Sequence, residues 1–400
     1  MRRASCAAIG LMSAALLMHG SLSIAAELPS QEEMWRIIQE QQREIEALKR
    51  GQRTTEEKAE AAVDMAEQSR QTSSTAASWA ERTQIGGYGE LHYENLDTDD
   101  GRQKEIDFTR FVLFFGHQFT DRLRFWSELE LEHAISGGDE DGEIELEQAY
   151  IEYDLTPSQH VRGGMFLIPV GILNETHEPP TFYGVKRNPV ERNIIPTTWW
   201  AGGAELTGEI APGWSYNFGV HEGLDTDSYN IRSGRQKTSN ADAHDLASTA
   251  RVKWNGIAGV ELAATLQYQE NITQGLDNDA SAWLYEAHAD VQRGPFGLRA
   301  LYARWNIDGD GARAVGRDEQ DGFYIEPSYK LVPEFGVFAR YSQWDNEAGS
   351  SSDSEKKQYN AGFNYWPHPD VVLKADYQYQ DNEGNVDEEK GVNLGIGYQF

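Results

Sequence analysis

The sequence predicts an all-β protein, a 16-stranded antiparallel transmembrane β-barrel preceded by a periplasmic helical, coiled-coil-like segment. Three observations point there. From Gln84 to Phe400 apolar and polar residues alternate with period two, so each segment has one apolar and one wet face. The segments run to about 9–13 residues, the length of a tilted strand crossing a bilayer. Their connections alternate between short turns and long acidic loops, as between the two rims of an outer-membrane barrel.

The chain opens with Arg2 and Arg3, an apolar run from Ala7 to Met18, and small residues at Ser23-Ile24-Ala25. This is the three-part pattern of a secretory signal over residues 1–25, and the apolar run is too short for a membrane anchor. Residues 31–82 are rich in Glu, Gln, Ala and Arg, and Met34, Ile38, Gln41, Ile45 and Leu48 form an a/d seam. The seam suits self-association; the competing reading is a solvated linker helix. Beyond Leu48 the register carries small and polar residues with little to bury.

The barrel domain spans 84–400. Segments begin near Gln84, Glu105, Arg122, Glu143, Gln159, Gly203, Gly213, His244, Gly259, Ser281, Phe296, Gln320, Glu334, Lys356, Asp370 and Gly391. In the third, Leu123, Phe125, Leu129 and Leu131 alternate with Arg124, Glu128, Glu130 and Glu132; in the last, Val392, Leu394, Ile396, Tyr398 and Phe400 form the apolar row. Turns such as Thr156-Pro157-Ser158 and Arg293-Gly294-Pro295 contrast with acidic loops such as Asn95–Lys104, Leu224–Ala243 and Asp381–Lys390. A soluble sandwich would use strands of about 5–6 residues and would not place Tyr and Trp near the strand ends.

Composition removes other classes. The 400 residues carry a net charge of −30, which opposes binding to nucleic acid. Cys6 is the only cysteine and lies in the signal, so thiolate metal sites, disulfides and cysteine nucleophiles are excluded from the mature chain. His177-Glu178 and His221-Glu222 lack the second histidine of a zinc-protease helix, and no nucleophile elbow or phosphate loop occurs. The sequence therefore nominates no catalytic residue, no cofactor and no metal ligand. The loop carboxylates read as a solvated acidic rim, with Ca²⁺ or Mg²⁺ bridging to lipopolysaccharide as the alternative.

Four runs resemble the phosphate-selective porin O and P family of bacterial outer membranes. They are Ile85-Gly86-Gly87-Tyr88-Gly89-Glu90-Leu91-His92-Tyr93, Asp107-Phe108-Thr109-Arg110-Phe111, Glu147-Gln148-Ala149-Tyr150-Ile151-Glu152-Tyr153 and Gly163-Gly164-Met165-Phe166-Leu167-Ile168-Pro169-Val170-Gly171. The resemblance implies a homotrimeric barrel in outer-membrane lipid that passes small anions. It also implies that Phe400 serves as the assembly signal read by the barrel-insertion machinery. The sequence departs from anion-selective members on charge. By parity the inward bases are Arg110, Arg124, Arg162, Arg251, Lys253, Arg299, Arg340 and Lys374, outnumbered by acids such as Glu90, Glu128, Glu130, Glu152 and Glu205.

The connection Val170–Gly202 is the longest and follows the fifth strand. Rich in proline and aromatics, it reads as a loop folded into the lumen, since a 16-stranded barrel otherwise encloses a wide channel; the alternatives are an ordinary outer loop or a trimer flap. Lys186, Arg187 and Arg192 are its candidate selectivity bases and Glu175, Glu178 and Glu191 its acids, facing Arg110, Arg124, Glu128 and Arg162 of the wall. Inward Gly86, Gly116, Gly164, Gly362, Gly395 and Gly397 suit an open lumen. The function expected is passive diffusion of small hydrophilic solutes or ions. The rival is a non-conducting structural or adhesive barrel.

Overall fold

A computed structural model describes residues 76–138, 142–275, 279–382 and 386–400. The predicted signal and most of the predicted helical segment lie outside the described residues. A short helix, α1 (Ala76–Glu81), leads into the first strand.

Sixteen strands follow. The first eight are β1 (Thr83–Thr98), β2 (Gly101–Thr120), β3 (Leu123–Glu132), β4 (Ile144–Thr156), β5 (Gln159–Leu167), β6 (Trp200–Ala211), β7 (Trp214–Glu222) and β8 (Leu246–Ile257). The rest are β9 (Val260–Gln269), β10 (Ser281–Arg293), β11 (Phe296–Asp308), β12 (Glu319–Val332), β13 (Phe335–Asp345), β14 (Lys356–His368), β15 (Val371–Asn382) and β16 (Val386–Gln399). Each pairs antiparallel with its sequence neighbours, and β1 pairs with β16, from Tyr88↔Gln399 to Asp97↔Lys390, to close the barrel. Closure leaves no edge strand, which satisfies every ladder hydrogen bond without water.

The period-two alternation explains the wall. On β10 the outward residues Trp283, Tyr285 and Ala287 are exposed, while Leu284, Glu286 and His288, alternating with them, are buried inside. Aromatic pairs ring both ends, with Tyr268–Trp283 at 4.5 Å and Tyr341–Tyr359 at 5.0 Å on the outer side. Phe296–Tyr329 at 4.8 Å and Phe335–Phe363 at 5.3 Å mark the periplasmic side. These are the girdles expected where a barrel meets lipid headgroups.

Two predicted loops are strand instead. The β1–β2 hairpin continues through Asn95–Lys104, with Thr98 paired to Gly101. Part of Asp381–Lys390 likewise belongs to β15 and β16, with Gln380 paired to Glu389. Polar residues there alternate too little for period-two reading to register them, yet the backbone ladder runs on into the rim.

Candidate functional site

The third outer loop, L3 (residues 168–199), folds into the barrel and is fastened at its neck. Asn174 donates its amide to the carbonyls of Ile168 and Trp199, both at 2.8 Å, and accepts from the Trp199 N–H at 2.7 Å. A short 3₁₀ turn (Pro179–Thr181) and a helical turn, α2 (Pro189–Asn193), shape the remainder. Asn188 caps α2, accepting from the Glu191 N–H, and Pro189 stands at its first position, a standard helix start.

L3 touches most of the wall. Thr265 on β9 donates to Pro169 O at 3.3 Å, Trp305 on β11 to Ile194 O at 2.9 Å, and Asn364 on β14 to Phe182 O at 2.9 Å. Asp376 on β15 accepts the Val185 N–H at 2.7 Å. On the β10–β13 side the loop's Val190, Ile194 and Ile195 form one apolar core with Leu284, Leu301, Trp305, Tyr324 and Trp344 of the wall. There the loop packs directly against the wall. On β16 the inward glycines are contact points rather than open space. A Cβ on Gly397 would lie 2.2 Å from Pro179 Cβ, and one on Gly395 would lie 3.1 Å from Val185 Cγ1.

Open space survives above and below the loop. On its outer side, Lys186, Arg187 and Arg192 line a cavity of about 210 Å³ against Lys356, Gln358, Gln378, Gln380 and Glu389 of β14–β16. A larger cavity of about 660 Å³ lies toward the periplasmic turns, under Phe182 and Tyr183.

The predicted selectivity residues separate into distinct clusters. Lys186 pairs with Glu94 of β1. Arg187 donates to Thr198 Oγ1 at 2.7 Å, and its Nε and Nη2 have no partner among the described residues. Arg192 is exposed at the outer cavity. Arg110 bridges Glu90 at 2.9 Å and Glu130 at 3.4 Å. Arg124 and Arg162 meet lower on the wall, both bonded to Glu152, and Arg162 also reaches Glu205 at 3.0 Å. Glu175 is paired with Arg251 of β8, on a different part of the wall. Glu178 is half-buried and serves through its carbonyl, which accepts from Thr181 Oγ1 at 2.7 Å. Glu128 is buried beside His177 of L3.

Glu191 differs from its expected role. It is fully buried, accepting the N–H groups of Ile172 and Leu173 at 2.9 and 2.6 Å and the Tyr324 hydroxyl at 2.9 Å. Its charge holds the loop together and does not face solute.

The fourth outer loop, L4 (residues 223–245), which the sequence predicts only as one of the acidic outer loops, also contributes bases to the site. Arg232 reaches over L3 to the carbonyls of Arg192 at 2.9 Å and Thr197 at 3.0 Å, and Arg235 donates to Thr198 O. Burial, with Arg235, Arg192 and Arg187 nearby, pushes Arg232 down to about 9. Arg235 is lowered as well, first by burial. Among the described residues, none of Arg187, Arg192, Arg232 and Arg235 has a carboxylate in ion-pair contact. The signal was present as three bases within Arg232–Lys237, but nothing in the sequence places them over L3.

Comparison with known proteins fits this geometry. The family model for Gram-negative porins matches residues 206–385. An uncharacterized protein of Aquifex aeolicus strain VF5 is 34% identical over 345 residues, covering 76% of this chain and 77% of that protein. The chain belongs to the Gram-negative porin family. The anion-selective porin of Comamonas acidovorans superposes with a TM-score of 0.60 at 14% identity, over 80% of this chain and 99% of that one. The outer-membrane channel DcaP of Acinetobacter baumannii gives 0.59 at 16%, over 80% and 97%. This porin's barrel and family indicate an outer-membrane location.

Proposed function

We propose that this porin is a passive diffusion channel, not an enzyme, for small hydrophilic solutes, and that it prefers anions. The observation that carries this reading is the outer cavity, where Arg187, Arg192, Lys356 and the Glu94-paired Lys186 outnumber the single carboxylate of Glu389 and face the amides of Gln358, Gln378 and Gln380. Arg232 and Arg235 extend the basic face from above. Of the wall acids, Glu90 and Glu130 are engaged by Arg110, Glu152 by Arg124 and Arg162, and Glu205 by Arg162. Guanidiniums without a contacting carboxylate in a confined, poorly screened passage attract anions and repel cations. The anion preference of the Comamonas porin agrees with this reading. Phosphate is one member of that solute class, and the family resemblance is its only support. The homotrimer implied by the same resemblance is proposed for the assembly, within outer-membrane lipid and lipopolysaccharide.

The apolar seam between L3 and β10–β13 favours a second reading, a barrel plugged by its own loop that serves a structural or adhesive role. Swelling of liposomes that contain the purified protein separates the two. A channel admits small sugars and organic anions with a sharp size limit, and a plugged barrel leaves the vesicles unresponsive.

A further inference from the structure

Beneath the neck of L3 a buried trio joins the loop to two wall strands. His177 comes from L3, Glu128 from β3 and Glu147 from β4, with 3, 1 and 1% exposure. We propose that these three side chains bind one divalent first-row transition-metal ion, with zinc as its probe. The ion would tie L3 to the barrel wall. The site is independent of which solute the pore passes.

The distances are those of ligands around an ion. His177 Nε2 lies 3.5 Å from Glu128 Oε1 and 3.6 Å from Glu147 Oε2. A charge-assisted hydrogen bond would close to about 2.7–2.9 Å. Ligands at zinc distances of about 2.0–2.2 Å in a tetrahedron stand about 3.3–3.6 Å apart. Glu128 Oε1, Glu147 Oε2 and His177 Nε2 each lack a hydrogen-bond partner among the described residues, although all three are buried. Buried polar atoms are rarely left so. Tyr88 Oη is also buried and unpartnered, and its ring stands edge-on to His177 at 5.7 Å. The fourth position would fall to that hydroxyl or to a water.

The surroundings orient the ligands. The Nδ1 of His177 is 3.2 Å from the Asn174 carbonyl, which selects the tautomer with its Nε2 lone pair toward the carboxylates. Gln148 donates to Glu128 Oε2 at 2.6 Å and leaves Oε1 turned to the trio. Arg110 is engaged by Glu90 and Glu130 and makes no ion pair with the trio among the described residues. Glu147 reaches the lumen because β4 bulges there. Glu128 pairs with Gln148 and Leu129 with Leu146, so Glu147 is the extra residue. One imidazole and two carboxylates, with no thiolate, suit zinc or a similar ion better than Ca²⁺ or Mg²⁺, which take oxygen ligands.

The test refolds the full chain with zinc or with a chelator, dialyses both samples, and measures metal per chain. The expected result is one tightly held zinc per chain, not displaced by excess Mg²⁺ or Ca²⁺. Cobalt in its place should give the intense visible bands of a tetrahedral site. Glu147→Gln, nearly isosteric, and His177→Asn should each abolish retention while the β-barrel circular dichroism is unchanged. Gln148→Ala should weaken binding roughly 10–100-fold, as loss of an orienting partner does. A wild-type protein that folds and retains no zinc overturns the proposal and leaves the trio an imidazolium held between two carboxylates. Zinc that both ligand variants retain overturns it too, because the ion then sits on the outer acidic loops. If His177→Asn fails to fold, Glu147→Gln alone decides.

Discussion

The Tyr324 hydroxyl of β12 donates to Glu191 Oε1 at 2.9 Å, across 133 residues of sequence, and fixes α2 of L3 to the wall. The same carboxylate accepts two loop N–H groups, and Asn188 Nδ2 lies 3.1 Å from Oε1. Glu191→Ala would strand these donors in a buried site, where each unmade bond costs about 1–3 kcal/mol. Hydrogen exchange across 172–195 should accelerate by on the order of 10²-fold or more, a loss of about 3 kcal/mol. The strands should keep their protection. Unchanged exchange in the loop would mean that Glu191 does not hold it.

The approach of Pro179 to Gly397 gives a second expectation. A larger side chain on the inner face of β16 has no room unless the 3₁₀ turn moves. Gly397→Leu should destabilise the folded barrel by about 1–3 kcal/mol, the usual cost of overpacking. The readout is the temperature at which the compact electrophoretic form is lost. Gly101→Leu would not be an informative control, because Gly101 has a φ of 112°. Gly163→Leu, with nothing within 4 Å of its Cβ position, is the proper one.

Phe400 is exposed on the outer wall, and its backbone exchanges both hydrogen bonds with Gly87, closing the β1–β16 seam. Its ring stacks on Tyr398 and Phe111. Deleting it tests the assembly role that the family resemblance implies: outer-membrane yield should fall, while refolded protein conducts normally. Full yield at native expression would remove that role.

Trp79 of α1 stacks on His117 at 6.0 Å, and the Arg82 carbonyl accepts from the Gln118 N–H, so the residues just before β1 belong to the barrel. Residues 31–75 should be dispensable for folding. Their removal is expected to leave heat-modifiable barrel, with any loss confined to the trimer population in native mass spectrometry. Failure of the truncated chain to fold would contradict closure by strands alone.

The wall was legible because alternation is a local property. Residues such as Leu123 and Arg124 disclose their faces without knowledge of partners, and the long ladder repeats the signal sixteen times. Glu147 escaped because a bulge inverts the parity of β4 at that point, so Ile144 and Leu146 face outward although Gln148 and Tyr150, at the same parity, face inward. The interior was less legible for another reason. Glu191 looks like a surface acid in sequence, and only contacts from Ile172 and Tyr324, 19 and 133 residues away, make it an internal one. Arg232 and Arg235 were hidden in a loop where three aspartates offset three bases over residues 224–243, and their position over L3 depends on long-range carbonyl contacts.

The central claim, a passage that favours anions over the basic face of L3, is tested most directly by reversal potentials of full-length protein in a planar bilayer under a KCl gradient. Wild type should show discrete channels and a reversal potential of the anion-preferring sign. Arg187→Gln with Arg192→Gln should move it toward zero or beyond. The change should be larger at low salt, where the Debye length grows toward about 30 Å at 0.01 M. Absence of channels, a cation-preferring wild type, or a double variant indistinguishable from wild type at both salt concentrations would contradict it.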